Sequence, residues 1–253
     1  MSQIQISDRG IALVTGAAGG IGTAICRLLA SRGVPLALSY RSRRPDDLIT
    51  ELGSSVVHAD RCDLADFSSV QGFSEGLHAA VGDVRTVVHA AGPHVPMIHL
   101  SRVSADEFAA QMRDDVDAFF NLATTVLPSL RRTRGSLTVV TTAATSRYPV
   151  RDGLSAAPKA AVEALARGLA AEEGRFGVRV NCVGPGMLDD GMSERLMASG
   201  DLDQRALDVT MSNIPLRMFG NSYDIAEAVE FLSSDRARFI TGQKLDVDGG
   251  YGV

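Results

Sequence analysis

The feature that most limits what this chain can fold into is the run Ile11-Ala12-Leu13-Val14-Thr15 followed at once by Gly16-Ala17-Ala18-Gly19-Gly20-Ile21-Gly22. The first five residues read as a buried strand, and helical periodicity begins at about Gly20. Strand, glycine turn and helix therefore arrive in the order a phosphate-binding loop requires. Glycines let the backbone turn tightly and come close to a pyrophosphate, while the free amides and positive end of the helix attract its charge. A glycine-rich string alone would be weak. Its place after the first strand is what points to a nucleotide.

The rest of the chain repeats the alternation. Apolar or β-branched runs recur at Pro35 to Tyr40, Ser55 to Ala59, Thr86 to Ala90, Ser136 to Thr141, Val178 to Val183 and Lys244 to Val247. Continuous runs of that length suit strands covered on both faces. Helical periodicity lies between them, at Phe67 to Ala80, Ala105 to Leu130, Ala160 to Arg175 and Ser222 to Ser233. The pattern predicts an α/β, Rossmann-type, doubly wound parallel sheet of seven strands, with helices on both faces, as a single domain over residues 1–253. Ser104 with Glu107 three residues on marks the start of the long central helix, and Pro128 is expected to kink or end it. The segment from about 186 to 215 contains two short helical patches and is expected to form a lid.

Several functions are disfavoured at this level. The net charge is −5, and the only basic clusters, Arg41-Arg43-Arg44 and Arg131-Arg132-Arg134, are small, so nucleic acid is not the expected partner. The opening MSQIQISDRG lacks an apolar signal run, and no stretch is long enough to span a membrane, so a soluble cytoplasmic protein is expected. Cys26, Cys62 and Cys182 lie far apart beside apolar residues and read as buried thiols. His58, His78 and His99 share no ligand spacing, and no metal is expected.

The second strand ends at Tyr40-Arg41-Ser42-Arg43-Arg44, without the carboxylate that would hold the ribose hydroxyls of NAD. Arginine there favours the 2'-phosphate of NADP; a solvated basic turn is the ordinary alternative.

Taken together, the Gly16-Gly20-Gly22 loop, Asp63-Leu64, Ala90-Ala91-Gly92, Lys159, Asn181-Cys182-Val183-Gly184-Pro185-Gly186 and Asp248-Gly249-Gly250 resemble the short-chain dehydrogenase/reductase family over essentially the whole chain. The nearest branch is similar to the 3-oxoacyl-carrier-protein reductases and polyketide ketoreductases. That resemblance implies NADP(H) as cofactor, a small-molecule or carrier-protein-bound acyl or polyketide substrate, and a homotetramer or homodimer. It also implies that Gly16, Gly20, Ile21 and Gly22 meet the pyrophosphate, Arg41 the adenosine phosphate, Asp63 the adenine, and Ala90, Ala91 and Gly92 the ribose. Lys159, Pro185 and Gly186 complete the implied cofactor set. His89 stands where the family normally has asparagine.

The implied catalytic set is mostly missing. The family's tyrosine lies four residues before the lysine, and its serine thirteen before the tyrosine, which places Ser155 and Thr142 at those positions. Alignment of the central helix puts Asp115 where the family has asparagine. Ketone reduction needs a proton for the developing alkoxide. A phenol, which ordinarily titrates at about pH 10, can be tuned to give one by a neighbouring ammonium, whereas an aliphatic hydroxyl is too weak an acid. Thr142 keeps a hydroxyl that can donate to a carbonyl oxygen, and Asp115 can only accept, so it is expected to pair with Lys159. Ser155 is equally readable as a helix N-cap before Pro158. Tyr148 and His94 are candidate replacement acids, the latter because imidazole titrates near neutrality. Asp190, with Asp189 beside it, replaces a threonine that touches the cofactor in the family, and weakens binding unless the loop turns it outward.

Three functions stay open on these residues. One is a weak or rerouted NADP(H)-dependent reductase of 3-oxo substrates. A second is a non-redox enzyme using the inherited pocket for cyclisation, isomerisation, dehydration or an aldol-type step, with Asp115, His94 or Lys159 as acid or base. The third is a non-catalytic subunit joined to an active paralogue through the small-residue face Ala160, Ala161, Ala164, Leu165 and Gly168.

Overall fold

The alternating apolar runs fold into strands β1 (Ile11–Thr15), β2 (Leu36–Tyr40), β3 (Val56–Arg61), β4 (Val84–His89), β5 (Ser136–Val140), β6 (Arg179–Pro185) and β7 (Lys244–Val247). Their connections are helices α1 (Gly20–Ser31), α2 (Asp46–Leu52), α3 (Phe67–Val81), α4 (Ala105–Met112), α5 (Ala118–Thr133), α6 (Gly153–Glu173), α7 (Gln204–Asn213) and α8 (Ser222–Ser233). These come from a computed structural model that describes residues 10–93, 95–190 and 204–253, without the side chains of 204–206. All seven strands are parallel, in the order β3-β2-β1-β4-β5-β6-β7. The order reverses between β1 and β4, the place where such sheets open a crevice at their carboxyl ends.

Because successive residues of a strand face opposite sides, each central strand feeds two cores. Leu13, Val87, Leu137 and Val139 pack with Val70, Phe73, Phe119, Leu122 and Val162 of α3, α5 and α6. Ala12, Val14, Val88 and Val140 pack on the other side with Ile25, Leu29, Ile225 and Val229 of α1 and α8. Full burial of a Leu, Ile or Phe side chain contributes about 1.5–3 kcal/mol. Two-sided burial is therefore what holds the crevice in shape.

One expectation for the central helix is corrected. Pro128 neither ends nor breaks it: α5 continues to Thr133 and closes at Arg134, which adopts a left-handed conformation with φ 50°. Val126, Leu127 and Leu130 are buried around the proline, and this packing outweighs the lost amide. The irregularity lies earlier, where Arg113–Asp117 form a π turn between α4 and α5. The start is as expected, with Ser104 and Glu107 forming a reciprocal capping box.

Helix α6 begins at Gly153, earlier than its periodicity indicates, so Ser155 is its third residue and the N-cap reading is corrected. Asp152 holds the N-cap position. Helix α2 was not legible as a periodic segment, being only seven residues with one buried side chain, Leu48. Of the expected lid, residues 191–203 lie outside the described residues; the described parts are α7 and a parallel bridge between Leu188 and Gly220.

Candidate active site

The β1–α1 turn forms one wall of a 360 Å³ cleft at the switch point. Gly16 has φ +73°, and a Cβ there would lie 2.6 Å from the Ala90 backbone. A Cβ on Gly22 would lie 2.1 Å from the Gly16 carbonyl oxygen. Both glycines are thus required by close backbone approach. Of the residues expected at the cofactor, Gly16, Arg41, Asp63, Ala90, Ala91 and Gly92 line this cleft, joined by Gly19, Arg43, His89 and Asp114. Gly20, Ile21, Gly22, Lys159, Pro185 and Gly186 are not among its lining residues. The Asp63 carboxylate accepts a hydrogen bond from the Ala65 amide at 3.2 Å, which fixes its turn.

The candidate catalytic residues Asp115, Ser155 and Lys159 are carried by α6 and the π turn. Lys159, on α6, donates to the Asp115 carboxylate, whose other oxygen accepts from Gln111 Nε2 at 2.6 Å. The Asp115 and Lys159 side chains are 1% and 15% exposed, so this is a largely desolvated ion pair. The expected pairing is present. A Cβ on Gly92 would sit 3.4 Å from Lys159 Nζ, which places the ammonium against the turn after β4. Ser155 lies one helical turn before it, half-buried. Thr142 follows β5, and its hydroxyl oxygen accepts from the Ala144 amide at 3.1 Å while its own proton stays available.

His89 is 4% exposed and shares a 2.9 Å hydrogen bond with Thr15 Oγ1, its partner across the β1–β4 ladder. Burial, reinforced by the Lys159 charge, pushes its pKa down to about 3, so the imidazole is neutral. It is a structural link between strands rather than an acid.

The remaining candidates separate. Tyr148 is 61% exposed and does not line the cleft. His94 lies outside the described residues. Asp190 is tied to the start of α8: its carboxylate accepts from the Ser222 amide at 3.0 Å and the Ser222 hydroxyl at 2.9 Å. Asp189 is exposed.

Sequence reading missed Gln111, Asp114 and Asp152. Asp152, Ser155 and Lys159 fall at spacings of three and four, one stripe of α6. Burial pushes the Asp152 carboxyl up to about 6. Its spacing from Ser155 was the available signal. Cys26, Cys62 and Cys182 are buried thiols, raised to about 12, 11 and 12 by desolvation. Among the described residues, no group of three His, Cys, Asp or Glu side chains is placed to hold a metal ion, and no helix is long and apolar enough to cross a membrane.

A glycine turn at the switch point of a seven-stranded parallel sheet, with a lysine-bearing helix at its far end, defines a Rossmann-type α/β domain. The family described as enoyl-(acyl carrier protein) reductase matches residues 16–252. The chain belongs to the short-chain dehydrogenase/reductase family. L-Fucose dehydrogenase of Oryctolagus cuniculus is 30% identical over 240 residues, spanning 95% of this chain and 84% of that protein. The 3-oxoacyl-acyl-carrier-protein reductase FabG of Salmonella typhimurium is 30% identical over 241 residues, 95% of this chain and 96% of that one. Among solved structures, the fold is similar to the NADPH-bound short-chain oxidoreductase from Pseudomonas aeruginosa PAO1 containing an atypical catalytic center. The TM-score is 0.87 at 25% identity, with 96% of each chain covered.

Proposed function

We propose that the chain is an NADP(H)-binding protein of the ketoreductase lineage whose reaction centre lacks the phenolic proton donor, so that ordinary ketone reduction is slow or lost. One observation carries the reading: the Lys159 ammonium beside Ser155 is committed to the Asp115 carboxylate. An ammonium so held is no longer free to tune a neighbouring acid, and Ser155 offers no acid to tune. A bound reduced nicotinamide would supply hydride. Gly16, Gly19, Arg41 and Arg43 would hold the dinucleotide, and their fit is supported by their lining one cleft, glycine backbone on one side and two guanidinium groups on the other. The relatedness to a 3-oxoacyl-carrier-protein reductase supports an acyl or carrier-bound substrate, and the NADPH-bound neighbour with an atypical centre supports the pairing of cofactor with altered chemistry.

A second reading is favoured by the Gln111–Asp115–Lys159 cluster, which keeps a carboxylate and an ammonium buried together without the redox acid. Such a pair suits proton abstraction and return in an isomerisation, dehydration or aldol-type step. Titration of NADPH by fluorescence, followed by its absorbance with a β-ketoacyl thioester, tests both. Tight binding with turnover at least about 10²-fold below that of FabG is expected. Brisk turnover would overturn the main reading, and product formed without change in NADPH would favour the second.

A further inference from the structure

Besides Asp63, the cleft holds a carboxylate that the order of residues along β2 does not disclose. Asp114 Oδ2 lies 3.6 Å from the Arg41 guanidinium, and both side chains line the cleft. They reach it from opposite sides of the switch point, Arg41 from the turn after β2 and Asp114 from the π turn that precedes α5. The Arg41 turn is steadied by Arg61, whose Nε donates to the Arg41 carbonyl at 2.9 Å. Arg44 is paired with Asp46 at 2.5 Å, so it is not free to take Arg41's place. Arg43 lines the same cleft and has no ion pair or hydrogen bond among the described residues.

Resting on the nucleotide reading of this cleft, we propose that Asp114 sets the choice between a phosphorylated and a plain adenosine ribose. It competes with a 2'-phosphate for Arg41, and offers a ribose diol the acceptor that β2 itself lacks. An ionised carboxylate only accepts hydrogen bonds, whereas ribose hydroxyls can donate and a phosphate cannot. The same group therefore repels one nucleotide and receives the other. In related folds this acceptor stands at the end of the second strand. Here it comes from the other side, carried by the π turn Arg113–Asp117. The consequence is a protein that discriminates weakly between NADPH and NADH despite its arginines.

Equilibrium titration of the full chain with NADPH, NADH, 2',5'-ADP and 5'-ADP tests this without reference to turnover. Asp114→Asn is expected to tighten NADPH and 2',5'-ADP by about two- to fivefold, the range of a solvent-screened charge pair, and to weaken NADH and 5'-ADP by a similar factor. In an Arg41→Ala background the same substitution is expected to tighten the phosphorylated ligands by less than it does in the wild-type background, since only the direct repulsion then remains. An unchanged NADPH to NADH affinity ratio in Asp114→Asn, or a ratio shifted toward NADH, would overturn the proposal. If neither dinucleotide bound the wild-type chain or any variant, the cleft reading itself would fall, and this inference with it.

Discussion

A phenol introduced at position 155 should support ketone reduction only if the lysine is released at the same time. Ser155 stands one helical turn before Lys159, so Ser155→Tyr places a phenol where the ammonium can lower its pKa. That ammonium is held by Asp115 in a pair whose side chains are 15% and 1% exposed. The single substitution is therefore expected to gain less than about tenfold in turnover. Adding Asp115→Asn keeps an acceptor oxygen for Lys159 and, with the Gln111 amide flipped, lets the new NH2 donate to Gln111 Oε1, while removing the charge that captures the ammonium. The double variant should gain about 10²- to 10⁴-fold in kcat for a β-ketoacyl thioester, equivalent to about 3–5 kcal/mol of barrier. NADPH absorbance at saturating substrate reads the rate, and fluorescence titration confirms that cofactor affinity is retained. A folded, NADPH-binding double variant no faster than wild type would refute the idea that the phenol and the captured lysine limit the reaction.

Other outcomes follow from the same geometry. Lys159→Met leaves the buried Asp115 with Gln111 alone and should cost about 3–5 kcal/mol in urea unfolding, most of it recovered by adding Asp115→Leu; a loss under about 1 kcal/mol would show that the pair is not desolvated. His89 is held neutral with its pKa depressed from 6.5 to about 3, so the folded chain binds this proton less well than the unfolded one. Its stabilising contribution is whole above about pH 6.5 and is lost as pH falls toward 3, by about 5 kcal/mol at the limit, and His89→Asn should flatten that acid limb in denaturation curves. Asp152 has the opposite sign: raised from 3.8 to about 6, it stabilises fully below about pH 4 and loses about 3 kcal/mol as pH climbs through 6, a slope that Asp152→Asn should remove.

Much of the architecture was legible because it rests on periodicity. The apolar runs of β1 and β7 and the helical spacing of α8 match the observed elements end to end, and α1 starts at Gly20 as its periodicity indicates. Counting residues from Lys159 identified Ser155, and the likeness of the central helix to the family identified Asp115. Local signals misled where packing overrode them. Pro128 sits inside α5 because the buried face around it holds the helix, and the serine that looked like a cap lies within α6.

The amino-acid order alone determined the parallel α/β sheet, the phosphate-type loop after β1 and the absence of a tyrosine four residues before Lys159, since each depends on spacing within one short segment. Only the tertiary structure decided what those residues touch. It brought Asp115 against Lys159 across 44 residues, turned Asp190 onto Ser222, buried His89 against Thr15 and carried Asp114 over to Arg41. Those meetings depend on helix phase and strand order, which a single π turn can shift, and charge and burial act through space rather than along the chain.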